Sequence, residues 1–503
     1  MAEVLEKGYA VYPSVKLQRV DSKTGKLVFV KELLFGDYIQ PTILKRTGDY
    51  SRVVVDGVEY IRVRCRGYSG IIKESDMQPQ RILEVNFIDV GQGDGCHIAT
   101  PDDRHFLIDA GQSENMYRFL KWRFNLKSAY IAPPPFTVVI SHPDADHYQG
   151  FGSVFSPPEE EELAQKFQIE KVYHNGLVEV KTKAKKPGHP TAQEKLESLG
   201  TVIEPEGMDY KKYITDLCDT NEDYKKRVQD EGSAEYVEVL EKTDAPKEAL
   251  RLGSKPIYDD GKGLKMEIVG PVPERIDGKD ALPAFGGDKG KTKNGNSVII
   301  LLTMGHLRLL LGGDLNKESE NYLIKKYSKV DLDFVKKQLG KKLSDGDRRV
   351  FEDDYRKAID LTSAALGVDI AKSCHHGSSE FTDEFLQVLS PIVTVISSGD
   401  EESFSHPRPD TLGAIGKHSR GNRPLIFSTE LARSTPEFIE LSKLKDSPKK
   451  RERVVTVYGM INVRTDGEYV VIAQKLEKPA GKSNWDIHRL KWNGKEFEYI
   501  MDN

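Results

Sequence analysis

The stretch FTVVISHPDADH, Phe136–His147, decides the fold class, because it joins a run of apolar β-forming residues to four side chains that can bind metal. Carboxylates and imidazoles packed this closely at the end of a buried strand repel one another or lose their hydration unless something neutralises them. One or two divalent cations would satisfy all of them. A surface turn rich in Asp and His is the alternative interpretation. The side chains concerned are His142, Asp144, Asp146 and His147.

Four other apolar runs end in the same kinds of residue. These runs, and others such as ILEVNFIDV and SVIILLTM, are continuously apolar rather than alternating, which is typical of strands covered on both faces. Because helical patterns lie between several of the runs, the sequence predicts a layered α/β domain whose strand ends share one metal centre. The runs lead to Asp109 in HFLID, Asp314 in LRLLLGGD, His375 and His376 after VDIAKSC, and His406 after IVTVISSG.

Composition excludes several classes of protein. The 503 residues include 74 Lys and Arg against 79 Asp and Glu, a net charge of −5, which argues against a protein that coats nucleic acid along its whole surface. No run of about 18 apolar residues is present, and the start lacks the apolar core of a secretory signal, so we expect no membrane segment and a cytoplasmic protein. The four cysteines are far apart, which argues against a disulfide framework.

The order of the motifs resembles a known family. DVGQGD (Asp89–Asp94), LIDAG, SHPDADH, GGD, HHGS and HP, spread over roughly 81–476, are similar to the metallo-β-lactamase fold. More narrowly they resemble the branch typified by the hydrolase domain of the DNA-uptake protein ComEC. The resemblance implies an αββα sandwich with a two-metal site along one edge. It also implies a metal-dependent hydrolase that acts through a metal-activated hydroxide.

The resemblance also implies roles for individual residues. His142 and Asp144 would hold one divalent ion, Asp146 and His147 the other, and Asp314 would bridge them. Either His375 or His376 would complete the ligand set of the second ion, and we favour His376. Asp146 would orient the hydroxide. Residues expected to support the ligands or contact substrate are Asp109, Gln92, Asp94, Asn296 and Ser378.

Two departures from the family pattern affect the metal. Asp144 stands where the broader superfamily has a histidine, and this harder oxygen ligand moves the preference from Zn²⁺ towards Mn²⁺ or Mg²⁺. No histidine precedes Asp314 at the usual distance, where this chain has NGNS (Asn294–Ser297). His406 is the candidate for the missing ligand, and a general acid that faces the substrate is its alternative role.

Regions outside the motifs define the rest of the architecture. Residues 1–80 read as short alternating strands similar to a bacterial SH3-like module, a small all-β barrel that would dock a protein partner or contact nucleic acid. Charged insertions at about 177–262 and 327–362 interrupt the hydrolase domain, and the first of them would select substrate. The C-terminal end reads as hairpins that turn at Asp466-Gly467 and Asn493-Gly494, and the second turn lies within a C-terminal β-hairpin extension, 477–503.

Three classes of function fit these patterns. The first is a phosphodiesterase or nuclease that cuts DNA or RNA, a stand-alone enzyme that would fit phage defence. The second is a small-molecule hydrolase that acts on a cyclic nucleotide, a phosphocholine-type ester or a lactone. The third is a regulatory or binding subunit with a weak metal site. The motifs determine the reaction type better than the substrate.

Overall fold

The computed structural model describes most of the chain in two compact units. One unit draws on Met1–Phe87, Ile98–Arg104 and Leu431–Asn503, and the other on Ile88–His97 and His105–Glu430. Residues 178–232, most of the first predicted insertion, lie outside the described part. The described residues are 4–65, 67–129, 132–158, 163–177, 233–276, 279–283, 285, 289–399, 405–430, 460–480 and 483–501.

The N-terminal segment has the β pattern that its alternating sequence predicts. Its strands form an antiparallel sheet in the order β3-β2-β7-β6-β4-β1-β8, with β5 paired to β6. Alternate residues such as Leu17, Ile61 and Val63 face a common core. The SH3-like character of this sheet stays a prediction. The strands are β1 (Gly8–Ala10), β2 (Ser14–Val20), β3 (Leu27–Leu34), β4 (Tyr38–Pro41), β5 (Arg52–Val55), β6 (Val58–Cys65), β7 (Tyr68–Ile72) and β8 (Met77–Gln78).

The next segment alternates strands with helices. Strands β11, β12, β13 and β14 pair in parallel in that order, as expected for continuously apolar runs joined by helical crossovers. The elements are β9 (Leu83–Ile88), β10 (Gly95–Ala99), β11 (His105–Ala110), α1 (Asn115–Phe124), β12 (Phe136–Val139), α2 (Ala145–Tyr148), α3 (Phe151–Phe155), β13 (Ile169–His174), α4 (Ser233–Glu241) and β14 (Lys247–Ala249).

A second sheet follows in the order β15-β16-β19-β20-β21-β22-β23. Side-chain caps from Asn316, Ser344 and Thr382 begin three of its helices. Its strands are β15 (Tyr258–Asp259), β16 (Leu264–Gly270), β19 (Ile299–Met304), β20 (Leu307–Leu311), β21 (Ile370–Lys372), β22 (Val393–Ile396) and β23 (Leu425–Ser428). Two further strands, β17 (Glu274–Ile276) and β18 (Lys279–Ala281), pair with each other as a separate sheet. The helices are α5 (Lys289–Gly295), α6 (Lys317–Ser328), α7 (Leu332–Leu339), α8 (Asp345–Leu366), α9 (Asp383–Leu389) and α10 (Pro409–His418).

The C-terminal strands form the two predicted hairpins. The turns at Asp466-Gly467 and Asn493-Gly494 join antiparallel neighbours, and the order β9-β24-β25-β26-β27 places all of them in one sheet. Val471 packs against Phe35 within the same unit. The domain limits at 80 and 476 stay predictions. The strands are β24 (Met460–Thr465), β25 (Tyr469–Ala480), β26 (Ser483–Trp492) and β27 (Phe497–Tyr499).

Helices cover the outer faces of two sheets in the larger unit. On the second sheet, Leu301 of β19 packs against α6 to α9, whereas its neighbour Leu302 is buried on the opposite face. On the first sheet, His105 contacts Phe124 of α1, with ring centroids 5.4 Å apart. The next residue of β11, Phe106, points the other way and contacts Tyr258 of β15 at 5.7 Å. The layers therefore run α, β, β, α, and the predicted α/β class is confirmed.

Within the described residues, no helix is both long enough and apolar enough to span a bilayer.

Candidate metal centre

The side chains predicted to bind metal lie where strands end in the larger unit. Asp109, His375 and His376 have φ values of 57°, 47° and 52°, and this left-handed backbone is costly for residues other than glycine. Strain of this kind persists only where the surroundings enforce it, and it is concentrated at functional sites. The positions are Asp109 in β11, His142 after β12, Asp146 and His147 on α2, Asp314 after β20, and His376 after β21.

Three buried histidines, His142, His147 and His376, point the same ring atom into the centre. Within the described residues no hydrogen bond of good geometry reaches their Nε2 atoms, although Asp314 Oδ2 lies 3.2 Å from that of His147 and 3.1 Å from that of His376. Because a ring held at Nδ1 presents its Nε2 lone pair outward, each ring is set to bind a metal through Nε2. The atoms that face the three Nδ1 positions are Ser141 Oγ at 3.0 Å from His142, Asp109 Oδ2 at 2.8 Å from His147, and both Ser397 O and Asp94 Oδ1 at 3.1 Å from His376.

Four side chains, Asp146, His147, Asp314 and His376, enclose one small space. Tetrahedral coordination with bonds of about 2.1 Å places neighbouring ligand atoms about 3.4 Å apart. The measured separations lie on both sides of that value, so these residues could hold a divalent cation. From Asp314 Oδ2 they are 3.2 Å to His147 Nε2 and 3.1 Å to His376 Nε2. From Asp146 they are 3.8 Å between Oδ1 and His147 Nε2 and 3.5 Å between Oδ2 and His376 Nε2.

Charge in this four-residue cage favours a cation. Burial alone would raise the pKa of Asp314, but the histidines around it hold that pKa well below its usual value. Burial likewise opposes charge on His147 and His376, yet Asp314 and its neighbouring carboxylates raise the pKa of both imidazoles. A metal that binds these rings must displace any proton on their Nε2 atoms, so we expect metal binding to release protons.

Several overlapping sets of side chains could hold a metal. In each set, the ligand atoms of described residues all lie within 4.8 Å of one another. Asp94 belongs to two of the sets, although the sequence assigned it a supporting role. Asp144 belongs to none of them. The sets are His142–His147–Asp314, Asp146–His147–His376, Asp94–Asp109–His147 and Asp94–Asp314–His376.

Lys372 is a part of the site that the sequence reasoning missed. Its ammonium pairs with Asp94, lies 3.6 Å from Asp314 and donates to the carbonyl of Gly313. Burial opposes the charge on this lysine, but the two carboxylates raise its pKa above the usual value. The available signal was a lysine at the end of the apolar run VDIAKSC, where a buried position requires a partner of opposite charge.

On the His142 side of the centre, Asp144 is held by two polar neighbours. Lys293 forms an ion pair with Oδ1, and the Asn294 amide nitrogen, with its amide oriented for hydrogen bonding, donates to Oδ2 at 2.8 Å. The nearest histidine atom is His142 Nε2, at 3.7 Å from Oδ2. Although burial would raise the pKa of Asp144, His142 and Lys293 lower it to about 2.

The predicted supporting residues divide into two groups. Asp109 accepts hydrogen bonds from both the backbone and the hydroxyl of Ser141 and holds His147, and Gln92 donates to Asp146 at 3.4 Å. Asn296 and Ser378 instead make local contacts outside the cage. Asn296 donates to the carbonyls of Pro283 and Thr292, and Ser378 accepts from the Glu380 backbone.

Within the NGNS block, Ser297 is the residue that reaches the centre. Its hydroxyl accepts from the backbone of Asp314 at 3.0 Å and lies 3.3 Å from His142 Nδ1. Gly93 of the DVGQGD loop makes a similarly close approach, because a Cβ there would lie 1.7 Å from the carbonyl oxygen of Asp146. Glycine is required at that position, where φ is +105°.

His375 and His406 lie at the edge of the cage. His375 Nε2 is 4.0 Å from Asp314, farther than His376 Nε2, and the ring centroids of His375 and His406 are 5.8 Å apart. Burial lowers the pKa of both residues, that of His406 to about 4. Both imidazoles are therefore neutral at pH 7, and each can accept a proton or donate a hydrogen bond.

Comparisons with known proteins give partial matches. No family model matches the chain. ComE operon protein 3 of Bacillus subtilis is 24% identical over 129 residues, which are 25% of this chain and 12% of that protein. The match therefore spans only a small part of the length of that relative. A crystal structure of Tm1679, described as a metal-dependent hydrolase of the β-lactamase superfamily, covers 69% of this chain and 96% of its own, with 14% identity and a TM-score of 0.27.

Proposed function

We propose that this protein is a metal-dependent hydrolase of phosphodiesters and that DNA or RNA is its substrate. The observation that carries the proposal is the cage formed by Asp146, His147, Asp314 and His376, with two buried Nε2 atoms and two carboxylates around one space. A divalent ion in that cage would supply Lewis acidity and lower the pKa of a bound water.

The protein's own residues would perform the remaining tasks. Asp109 fixes the ring of His147, and the Ser397 carbonyl fixes that of His376, so that the ligands are preorganised. Gln92 holds the Asp146 carboxylate, which orients the attacking water. His406 is neutral and lies next to His375, where it can accept a proton or donate a hydrogen bond at the edge of the site.

The preference for a phosphodiester rests on the chemistry of the ligands. Carboxylates are hard ligands, and Asp94, Asp146 and Asp314 make this site richer in them than one built from imidazole alone. Such a set favours Mn²⁺ or Mg²⁺ beside Zn²⁺, and these are the ions that commonly serve phosphate transfer. The ordered motifs that resemble the ComEC branch add support for a nucleic acid as the substrate.

The test is a cleavage assay on the full-length chain. We expect labelled single- or double-stranded DNA or RNA, together with bis-p-nitrophenyl phosphate, to be cleaved in the presence of Mn²⁺. Changing Asp146→Ala should reduce both activities by more than about 100-fold, because loss of even an outer partner of a metal ligand commonly costs 10- to 100-fold. Metal content measured on the same samples links the loss to the cage.

The matched control is Asp353→Ala, which removes an exposed carboxylate of α8. That variant should retain full activity. Cleavage of the small ester without cleavage of any polymer would contradict a nucleic-acid substrate. Full activity of the metal-free protein would contradict the metal-dependent mechanism itself.

A further inference from the structure

The two sides of the metal centre are built differently. The cage already uses Asp146, His147, Asp314 and His376 around one space. On the other side, His142 belongs only to the set that also requires His147 and Asp314. An ion in the cage therefore leaves His142 without a complete set of strong ligands among the described residues.

The carboxylate that would complete the His142 side is Asp144, and it is already neutralised. The Lys293 ammonium pairs with one oxygen, and Asn294 donates to the other at 2.8 Å. Both charged side chains are largely buried, with 17% of Lys293 and 25% of Asp144 exposed. An ion pair shielded from water in this way is costly to break by removing one partner, so Lys293 competes directly with a metal for Asp144.

We propose that Lys293 takes the place of a second metal ion and that this protein therefore binds one divalent ion tightly, in the cage. The inference rests on the metal-dependent function proposed above and specifies its stoichiometry. Lys293 lies on helix α5, and Ser297, just after the end of that helix, accepts a hydrogen bond from the backbone of Asp314. One short segment therefore positions the Lys293 ammonium beside the cage. A fixed ammonium supplies one positive charge there instead of two.

Metal stoichiometry tests the proposal directly. The full-length protein would be loaded with Mn²⁺, dialysed extensively and analysed by mass spectrometry for manganese, with titration calorimetry to measure affinity. We expect one tightly bound equivalent in the wild type. Changing Lys293→Met frees Asp144, so a second equivalent should bind at least about 10-fold more tightly than it does to the wild type.

Two further variants make the result specific. Lys291→Met removes a lysine of the same helix that pairs with Glu318 and Glu380 instead, and it should leave one equivalent bound. Asp144→Asn should also keep the tight ion, because Asp144 lies outside the cage. Circular dichroism of each variant checks that it is folded.

The outcomes distinguish a failure of the role of Lys293 from a failure of the proposed function. Two tight equivalents in the wild type, no gain in Lys293→Met, or loss of the tight ion in Asp144→Asn would overturn the role of Lys293 and leave the proposed hydrolase intact. No bound metal in the wild type would overturn the proposed function, and this inference with it. One equivalent in the wild type and in the Lys291→Met control, with two in Lys293→Met, supports it.

Discussion

Each compact unit of the protein buries a cluster of charges, but the two clusters are organised differently. In the smaller unit, the Arg464 guanidinium, 1% exposed, lies between Asp37 at 3.3 Å and Glu84 at 3.4 Å. It also donates to the carbonyl of Phe35 at 3.1 Å. In the larger unit, the buried carboxylates Asp94, Asp109 and Asp314 lie at the metal centre, and Lys372 is the buried cation that pairs with Asp94 and Asp314.

The difference shows how buried charge can serve stability or binding. In the smaller unit a permanent cation is already supplied by the chain, so the carboxylates are neutralised whenever the unit is folded. In the larger unit the Nε2 atoms of His147 and His376 point at the Asp314 carboxylate, 3.2 Å and 3.1 Å away, and no hydrogen bond among the described residues satisfies them. Buried polar groups left in this way are costly. The chain itself supplies the counter-charge of the first cluster, whereas the second also offers ligand atoms to a cation from solution.

Removing the central charge of the smaller cluster should have the largest effect. We expect Arg464→Met to destabilise its unit by about 4 kcal/mol, because it removes the buried cation that lies between the carboxylates of Asp37 and Glu84. Hydrogen exchange followed by mass spectrometry would resolve the two units and report the loss in the smaller one. Added Mn²⁺ should not restore the lost stability of the smaller unit.

Arg356 of α8 is the matched control for this change. It pairs with Asp353, but both side chains are more than two-thirds exposed. Arg356→Met should cost less than about 1 kcal/mol, the usual range for a surface ion pair. Equal effects of the two substitutions would contradict the view that the buried cluster stabilises its unit.

Much of the metal centre could be predicted from sequence because it follows strand order. The ligands come after runs of apolar residues, and neighbouring parallel strands of one sheet bring their ends to one edge. Asp109 and the SHPDADH segment therefore share an edge of the first sheet, and Asp314 and His376 share an edge of the second. The layered α/β class followed from the same continuously apolar runs.

Contacts that depend on packing across the sheets could not be predicted from the sequence. The partners of Lys372 and Lys293 are 58 or more residues away along the chain, so no local pattern pairs them with Asp314 or Asp144. The sequence of the NGNS block likewise does not show which of its side chains faces the centre. The backbone turn directs Ser297 to Asp314, whereas Asn296 donates to a local carbonyl.

Removing the cation of the larger cluster should have a smaller effect that metal can reverse. Without metal, Lys372→Met leaves Asp94 and Asp314 to repel each other, and we expect a loss of about 3 kcal/mol. Excess Mn²⁺ should recover most of that loss, because binding to the folded state alone stabilises it. Thermal unfolding with and without Mn²⁺ measures both the loss of stability and its recovery.

Lys417→Met is the control for Lys372, since Lys417 pairs with Asp383 and 63% and 47% of these two side chains are exposed. It should shift the unfolding temperature little, and equally with and without Mn²⁺. A loss in Lys372→Met that Mn²⁺ does not reduce would show that the two buried clusters behave alike.

Glu320 provides a third case, a buried carboxyl for which no cation among the described residues forms an ion pair. It is 1% exposed, and Oε2 accepts from the backbone of Thr382 at 2.5 Å and from its hydroxyl at 2.8 Å. Burial raises its pKa to about 8, despite those hydrogen bonds. The folded state thus keeps a proton that the unfolded chain, with a pKa near 4.3, has already lost at neutral pH.

The sign of the pH dependence follows from that difference. Between about pH 4.5 and pH 8 the folded protein binds more protons than the unfolded chain, so the contribution of Glu320 to stability falls as pH rises through this range. Glu320→Gln removes this dependence. The stability of the variant relative to the wild type should therefore increase by on the order of 2 kcal/mol between pH 6 and pH 8.

Denaturant unfolding of both proteins at each pH measures this difference, and the titrations of all other groups cancel in the comparison. Glu352→Gln, at an exposed position of α8, should show no such change. A constant difference between Glu320→Gln and the wild type would mean that Glu320 is ionised in the folded protein throughout. It would then require a cation beside it, as the carboxylates of both larger clusters do.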